Sequence, residues 1–278
     1  MRGFLSNRKA LVGAAILFLY FLMATVGPEV VPLDLTYRSE LRLRPPSLAH
    51  PFGTDTHGVD IFAQIIHGSR DVLLVAFLAA IFSTGIAVAV GITAGFKGGL
   101  VDQSLMMLVN VLLTIPQFPI MLIFATVFRV SDPVSFALVL AVWMWAGLAR
   151  AVRSQTLSLR EREFIEAAGT LRLSPFHIVF REILPNIMPY IAINFVGMMR
   201  GAINASVGVM FLGIVPFSRT NWGMMLNMAT RQTGAIYVPS GIYYAVFPIL
   251  AIMFFQLGGY LFGHGLDEIF NPRLRAHE

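Results

Sequence analysis

Few residues in this chain are placed to do chemistry, and their spacing rules out more than it offers. A phosphate-binding loop needs Gly-Lys followed by Ser or Thr. The two lysines are Lys9, before Ala10, and Lys97, before Gly98, so the chain does not bind ATP through that motif. His50, His57 and His67 lie 7 and 10 positions apart, unlike helix-borne metal ligands, and read as solvated loop histidines. Cysteine is absent, which removes disulfides and thiolate-bound metals. No Ser/His/Asp spacing, His-x-x-x-His or pair of carboxylates inside an apolar segment suggests catalysis. Acids are missing from those segments altogether, against a proton- or sodium-driven carrier that relies on them. Uphill work by this chain would draw its energy from elsewhere.

Polar groups inside oily segments remain. Pro116 and Pro119 each remove a backbone hydrogen bond and bend a helix. With Asn110 and Gln117 nearby, the bend suits a gated passage, or a passive scaffold. Asn194, Arg200 and Asn204 fall in another apolar segment. An arginine there costs about 2.5–3.5 kcal/mol on insertion scales, so Arg200 calls for a water-filled cavity or a carboxylate. Substrate or gate contact is the functional reading; an ion pair with a neighbouring subunit, or snorkelling to an interface, is the structural one.

One stretch is polar enough to meet a partner. Ser158 with Glu161 forms a capping box, predicting a helix over 159–172. Phe164, Ala167, Ala168 and Leu171 recur on one face of it, with Arg160, Arg162, Glu163 and Glu166 off that face. Ser174 then caps a second helix with Pro175 at its first position. The first helix either rests on lipid or docks a soluble partner, which the small Ala167 and Ala168 would let approach closely.

The elements holding these residues follow from composition. At 56% hydrophobic and 13% charged residues, with a mean hydropathy of +0.73, the chain is an integral membrane protein. Its basic residues flank apolar segments instead of gathering on one face, so a pI near 9.9 needs no nucleic acid. Six segments approach the roughly 20 residues that cross a bilayer: 10–27, 72–96, 104–128, 133–149, 183–212 and 241–263. The first follows Arg2, Arg8 and Lys9 but is long for a signal peptide and lacks a cleavage site, so it reads as a retained span. The expectation is an all-α, polytopic membrane protein with six transmembrane helices. Lys and Arg number 12 in the segments sharing a side with the termini against 7 opposite, which places both termini and residues 150–182 in the cytoplasm.

Residues 28–71 form a long outer loop of turns, with an amphipathic interfacial helix over 59–71. Ala87, Gly91 and Gly95 make a small-residue packing seam. Arg129-Val-Ser-Asp132 forces a tight hairpin. Asn221-Trp222-Gly223, after Pro216, reads as an outer segment with its Trp at the membrane surface. The last span ends at Gly258-Gly259 and Gly263, and His177 and His264 have no evident partner.

Several motifs in order resemble a known family. Phe164-Ile-Glu-Ala-Ala168, followed by Ile183-Leu-Pro-Asn186, resembles the "EAA" loop of bacterial ABC importer permeases. His50-Pro-Phe-Gly-Thr-Asp55-x-x-Gly58-x-Asp60, Phe211-Leu-Gly213, Trp222-Gly223 and Asn271-Pro-Arg273 look like signatures of the C-type permease of dipeptide and oligopeptide importers. The similarity covers about 50–278.

The resemblance implies a type I ABC importer permease fold in a bacterial or archaeal cytoplasmic membrane. Residues 1–71 would be an N-terminal span and outer loop, and 72–278 a permease core. The chain would be half of a translocation pathway for di- or oligopeptides and not itself an enzyme. A second homologous permease, two ATP-binding subunits holding ATP and Mg, and an extracytoplasmic binding protein would complete the importer, with membrane lipid around it and no nucleic acid. Phe164, Ile165, Glu166, Ala167, Ala168, Leu171 and Arg172 would couple to the ATPase; Asn110, Pro116, Gln117, Asn194, Arg200 and Asn204 are the pathway candidates. The chain departs from the family pattern at Arg172, a usual glycine, at Val59, a usual arginine, and at Ser206, a usual acid. It also departs at Arg200, a usually small residue, and over Gly263-His-Gly-Leu-Asp-Glu268. Relatives of this type also carry oligosaccharides, nickel complexes and other solutes. A self-contained channel or carrier is the competing class; it would transport without nucleotide.

Overall fold

The computed structural model describes residues 7–215 and 218–270. Arg2, Pro216 and the Asn271-Pro-Arg273 motif lie outside them. The described chain is helical; its β pairing is one isolated bridge, Thr54 to Asp60. Asn7 caps α1 (Arg8–Thr25) by accepting from the Ala10 N–H. Asp60 caps α2 (Ile61–Lys97) in the same way through Ala63. After α3 (Gly99–Thr114) the chain breaks at Ile115-Pro116 and turns by 90° into α4 (Gln117–Val127). Pro116 makes the break. Pro119 sits in the first turn of α4, where its missing N–H has no helical partner to lose.

The expected hairpin follows: Arg129 takes a positive φ of 47°, and Asp132 caps α5 (Pro133–Arg160) through the N–H groups of Val134 and Ser135. The Ser135 hydroxyl, and then those N–H bonds, hold the Asp132 carboxyl below the usual carboxylate range, because they favour its ionised form. Then come α6 (Glu163–Thr170), a helical turn at Pro175–His177, a π-helical turn at Ile178–Ile183, α7 (Leu184–Phe211), α8 (Trp222–Asn227) and α9 (Tyr243–Phe270). Among the described residues four helices are long and apolar enough to cross a membrane, or five if the bent α3–α4 pair counts as one. At 28 residues α7 has the length, but Asn194, Arg200 and Asn204 dilute its apolarity.

Two close seams hold the bundle. A Cβ on Gly91 would stand 2.6 Å from the Ala149 carbonyl, and one on Gly95 would stand 2.8 Å from Thr156 Cβ. The stripe predicted from Ala87, Gly91 and Gly95 is therefore where α2 meets α5. The second seam joins α1 to α9: Gly13 lies on Gly258 and Phe262, and Gly265 on Ala10. This corrects the expected end of the last span, because α9 runs on to Phe270, with Gly258 and Gly265 admitting α1 and Gly259 admitting the Arg200 side chain.

Three other expectations are corrected by burial. Residues 59–71 are no interfacial helix but the first turns of α2, with Ile61, Ile65 and Ser69 buried. Trp222 does not sit at a lipid surface: it is 0% exposed, edge-on to Tyr20, and its indole N–H donates to the Ile65 carbonyl at 3.1 Å. The histidines read as solvated loop residues are held in place, and His67 lies within α2, not in a loop. His50 Nδ1 lies 2.8 Å from Asp60 Oδ2, and His67 Nε2 lies 2.7 Å from the Val31 carbonyl. No group of three acidic or histidine side chains able to hold a metal occurs among the described residues.

Candidate functional site: the α6 turn and the α7–α9 polar cluster

The predicted start of the α6 helix is displaced. Ser158 lies in the last turn of α5 and caps nothing. Packing overrides the local signal, because Val152 and Thr156 are buried on Gly91 and Gly95 and carry α5 on to Arg160. There Arg160 Nη1 donates to the Phe96 carbonyl at 3.2 Å, closing the end of α2. The chain then turns, and α6 starts at Glu163 with Glu163 and Glu166 in its first turn, where carboxylates favour the helix dipole.

One side of α6 is fixed to its own chain. Ile165 and Ala168, 6% and 5% exposed, join Trp145, Ile178 and Ile183 in a small core. Phe164, Ala167 and Leu171 point away, and Phe164 and Leu171 remain 42% and 73% exposed. The face predicted as one is thus divided, with Ala168 turned inward and the other three left for something outside the chain. Glu166 is exposed beside them.

Arg172 supplies the geometry that a glycine would. Its φ is +52°, its N–H donates to the Gly169 carbonyl at 2.9 Å, and the Leu173 N–H donates to Ala168 at 3.1 Å. This is the left-handed Schellman ending of a helix. Leu173 packs on the core that holds Ala168, and Ser174 caps the next turn through the His177 N–H, as expected. His177 approaches Glu182 at 3.9 Å, and His264 lies edge-on to Tyr260.

The pathway candidates divide into separate places. Asn110 is exposed on α3, and its Oδ1 accepts from Arg150 at 2.6 Å, one turn from the Arg153–Asp102 ion pair. Pro116 and Gln117 are exposed at the break. Asn194 donates to its own helix, at Tyr190. Arg200 and Asn204 are brought together by a residue the sequence reading missed: Gln256 accepts from Arg200 Nε at 3.0 Å and donates to Asn204 Oδ1 at 2.7 Å. The Arg200 guanidinium carbon lies 5.6 Å from the Tyr260 ring centre, a cation–π distance. An amide and a ring therefore stand where a carboxylate was expected, and Arg200 also borders a cavity of about 1130 Å³. The available signal was Gln256 itself, the one amide or charged side chain in residues 243–262.

The 50–60 motif, whose Phe52 stacks on Phe247 of α9, is a folded clamp. Asp55 is buried, accepts from the N–H groups of His57 and Val59, and takes Gln64 Nε2 at 2.9 Å. Gly53 and Gly58, at φ +78° and +79°, lie against the carbonyls of Arg44 and Arg38.

The sequence pattern of the family described as binding-protein-dependent transport system inner membrane component matches residues 87–276, the stretch containing the α2–α5 seam, α6 and the Gln256 cluster. This chain belongs to that family. It is a multi-pass permease subunit of an ABC importer, in which ATP hydrolysis lies on separate subunits and not on the permease. It is 32% identical to the oligopeptide transport system permease protein OppC of Mycobacterium tuberculosis (strain ATCC 25618 / H37Rv), over 99% of this chain and 94% of that one. To the dipeptide transport system permease protein DppC of Bacillus subtilis (strain 168) it is 33% identical, over 97% and 83%. To the OppC protein of the same organism it is 31% identical, over 99% and 89%. Within the permease, α6 has one buried edge and one exposed apolar edge, and α7–α9 carries the polar cluster.

Proposed function

We propose that this permease forms half of the translocation pathway of a di- or oligopeptide importer and that α6 is its coupling helix. The second half is a homologous permease; two ATP-binding subunits and an extracytoplasmic binding protein complete the complex in a bacterial cytoplasmic membrane. Residues 1–71 carry the first span, the outer loop and the first turns of α2, and 72–278 form the core. Six spans, with α7 as the fifth, put both termini and residues 150–182 in the cytoplasm. The Lys9–Glu268 pair, which joins the start of α1 to the end of α9 at 2.8 Å, supports termini on one side. The peptide reading is supported by the names of the relatives at 31–33% identity.

The observation that carries the coupling role is the division of α6. Ile165 and Ala168 bind it to the core that also contains Ile183 and Ile187, so force on Phe164, Glu166, Ala167 and Leu171 passes to the foot of α7 as rigid-body motion. The Arg172 turn fixes the helix's angle. Asn110, Pro116, Gln117, Asn194, Arg200 and Asn204 are assigned to the pathway, with Arg200 and Asn204 as its polar centre. Glu166→Arg should abolish ATP-dependent uptake by the reconstituted importer and loosen its ATPase; wild-type uptake would remove the assignment. A screen of the binding protein with peptides, oligosaccharides and nickel complexes tests the cargo.

A further inference from the structure

A groove of about 1130 Å³ opens between α1, α2, α7 and α9. Its walls are chiefly apolar, among them Phe21, Leu74, Phe77, Phe195 and Phe262. Along α2 it extends from Arg70 to Thr84, about 21 Å at 1.5 Å per residue, against about 15 Å for one leaflet's hydrocarbon. Arg200 borders it, but its Nε is engaged by Gln256 and its plane approaches Tyr260, so that charge is directed into the α7–α9 seam. One end of the groove is different. Glu29 and Arg70 line it there, both exposed, and no hydrogen bond or ion pair joins either side chain to another described residue.

An apolar slot longer than one leaflet's hydrocarbon, ending in an unpaired acid and an unpaired base, has the charge pattern of an amine-bearing zwitterionic lipid. We propose that the groove holds a phosphatidylethanolamine-type phospholipid, with its phosphate on Arg70, its ammonium on Glu29 and its acyl chains along Phe77 and Phe195. A single headgroup supplies both countercharges at one level. A transmembrane helix from a partner would have to bring an acid and a base to the same depth. The assignment rests on α1 and α2 crossing a membrane, not on the transport role, and under the topology proposed above the lipid belongs to the outer leaflet.

The test uses the complete importer in nanodiscs of phosphatidylethanolamine and phosphatidylglycerol, with a phosphatidylethanolamine carrying a photoreactive acyl chain. Label is expected on the segments containing Phe21 and Leu73–Phe77. Arg70→Glu should cut that labelling about tenfold, the weight of one charge-assisted hydrogen bond. Glu29→Lys should move retention toward phosphatidylglycerol, and the exchanged pair Glu29→Arg with Arg70→Glu should recover the phosphatidylethanolamine signal. Size-exclusion profiles report assembly, so a misfolded variant is recognised and the exchanged pair decides. Equal labelling of wild type and Arg70→Glu would overturn the proposal. So would a photoreactive residue at Leu74 that cross-links to the second permease in place of lipid.

Discussion

Replacing Arg172 by glycine should tighten the turn that ends α6. A side chain in the left-handed region costs about 1–2 kcal/mol through its Cβ, and glycine removes that cost. Glycine also frees the unfolded chain, returning about 0.4–1 kcal/mol. The expected net gain is about 0.5–1 kcal/mol, confined to a turn whose bonds run from Arg172 to Gly169 and from Leu173 to Ala168. Hydrogen exchange at those two amides should slow about 2–5-fold in Arg172→Gly, with ATP-dependent uptake retained. Arg172→Val, which puts a β-branched residue at φ +52°, should speed the same exchange. If glycine leaves exchange unchanged or faster, and valine leaves it unchanged too, the left-handed ending does not hold α6 and the reasoning fails.

Gly91→Leu should prevent α2 from reaching α5, since even a Cβ meets the Ala149 carbonyl at 2.6 Å; overpacking of this kind costs about 1–3 kcal/mol, read as a lower melting temperature of the detergent-solubilised importer. Gln256→Leu should cost about 1 kcal/mol by stranding the half-buried Arg200 Nε, whereas Arg200→Ala should change uptake kinetics with assembly intact; unchanged kinetics would return Arg200 to a structural role. Asp132→Ala should lower thermal stability at neutral pH. Because the folded Asp132 carboxyl is held below its ordinary value, its contribution is full above the unfolded pKa and disappears as pH falls through the folded one. Wild type and mutant should therefore converge in acid, and a gap persisting there would contradict the cap.

Features encoded by neighbouring residues were legible. The cap at Ser174-Pro175, the hairpin at Arg129-Val-Ser-Asp132, the break at Pro116 and the stripe at Ala87, Gly91 and Gly95 depend on a few adjacent positions or on helical spacing, and the structure contains them. What failed depended on distant packing. Ser158 has every local reason to start a helix, but Thr156 is already committed to Gly95. Trp222 suits an interface until Ile65 presents its carbonyl. Gly258 and Gly259 look like a helix end unless α1 and Arg200 are known to lie across α9. The same reason hid Gln256, whose partners are more than 50 positions away on α7. The polar residues expected to share one pathway were each identified, but only Arg200 and Asn204 meet.

The α1–α9 seam bears on how the chain is made. Asn7 and Glu268, joined by a 2.7 Å hydrogen bond, are 261 positions apart. At synthesis rates of about 5–20 residues per second, the ribosome takes roughly 13–50 s to travel between them. For that interval the first helix sits in the bilayer with Ala10, Gly13 and Ile16 facing no α9. Its partner arrives last, so closure of the bundle reports that translation has reached α9. A nascent chain stalled before Gly258 would present the uncovered α9 face of the first helix to insertion and quality-control factors.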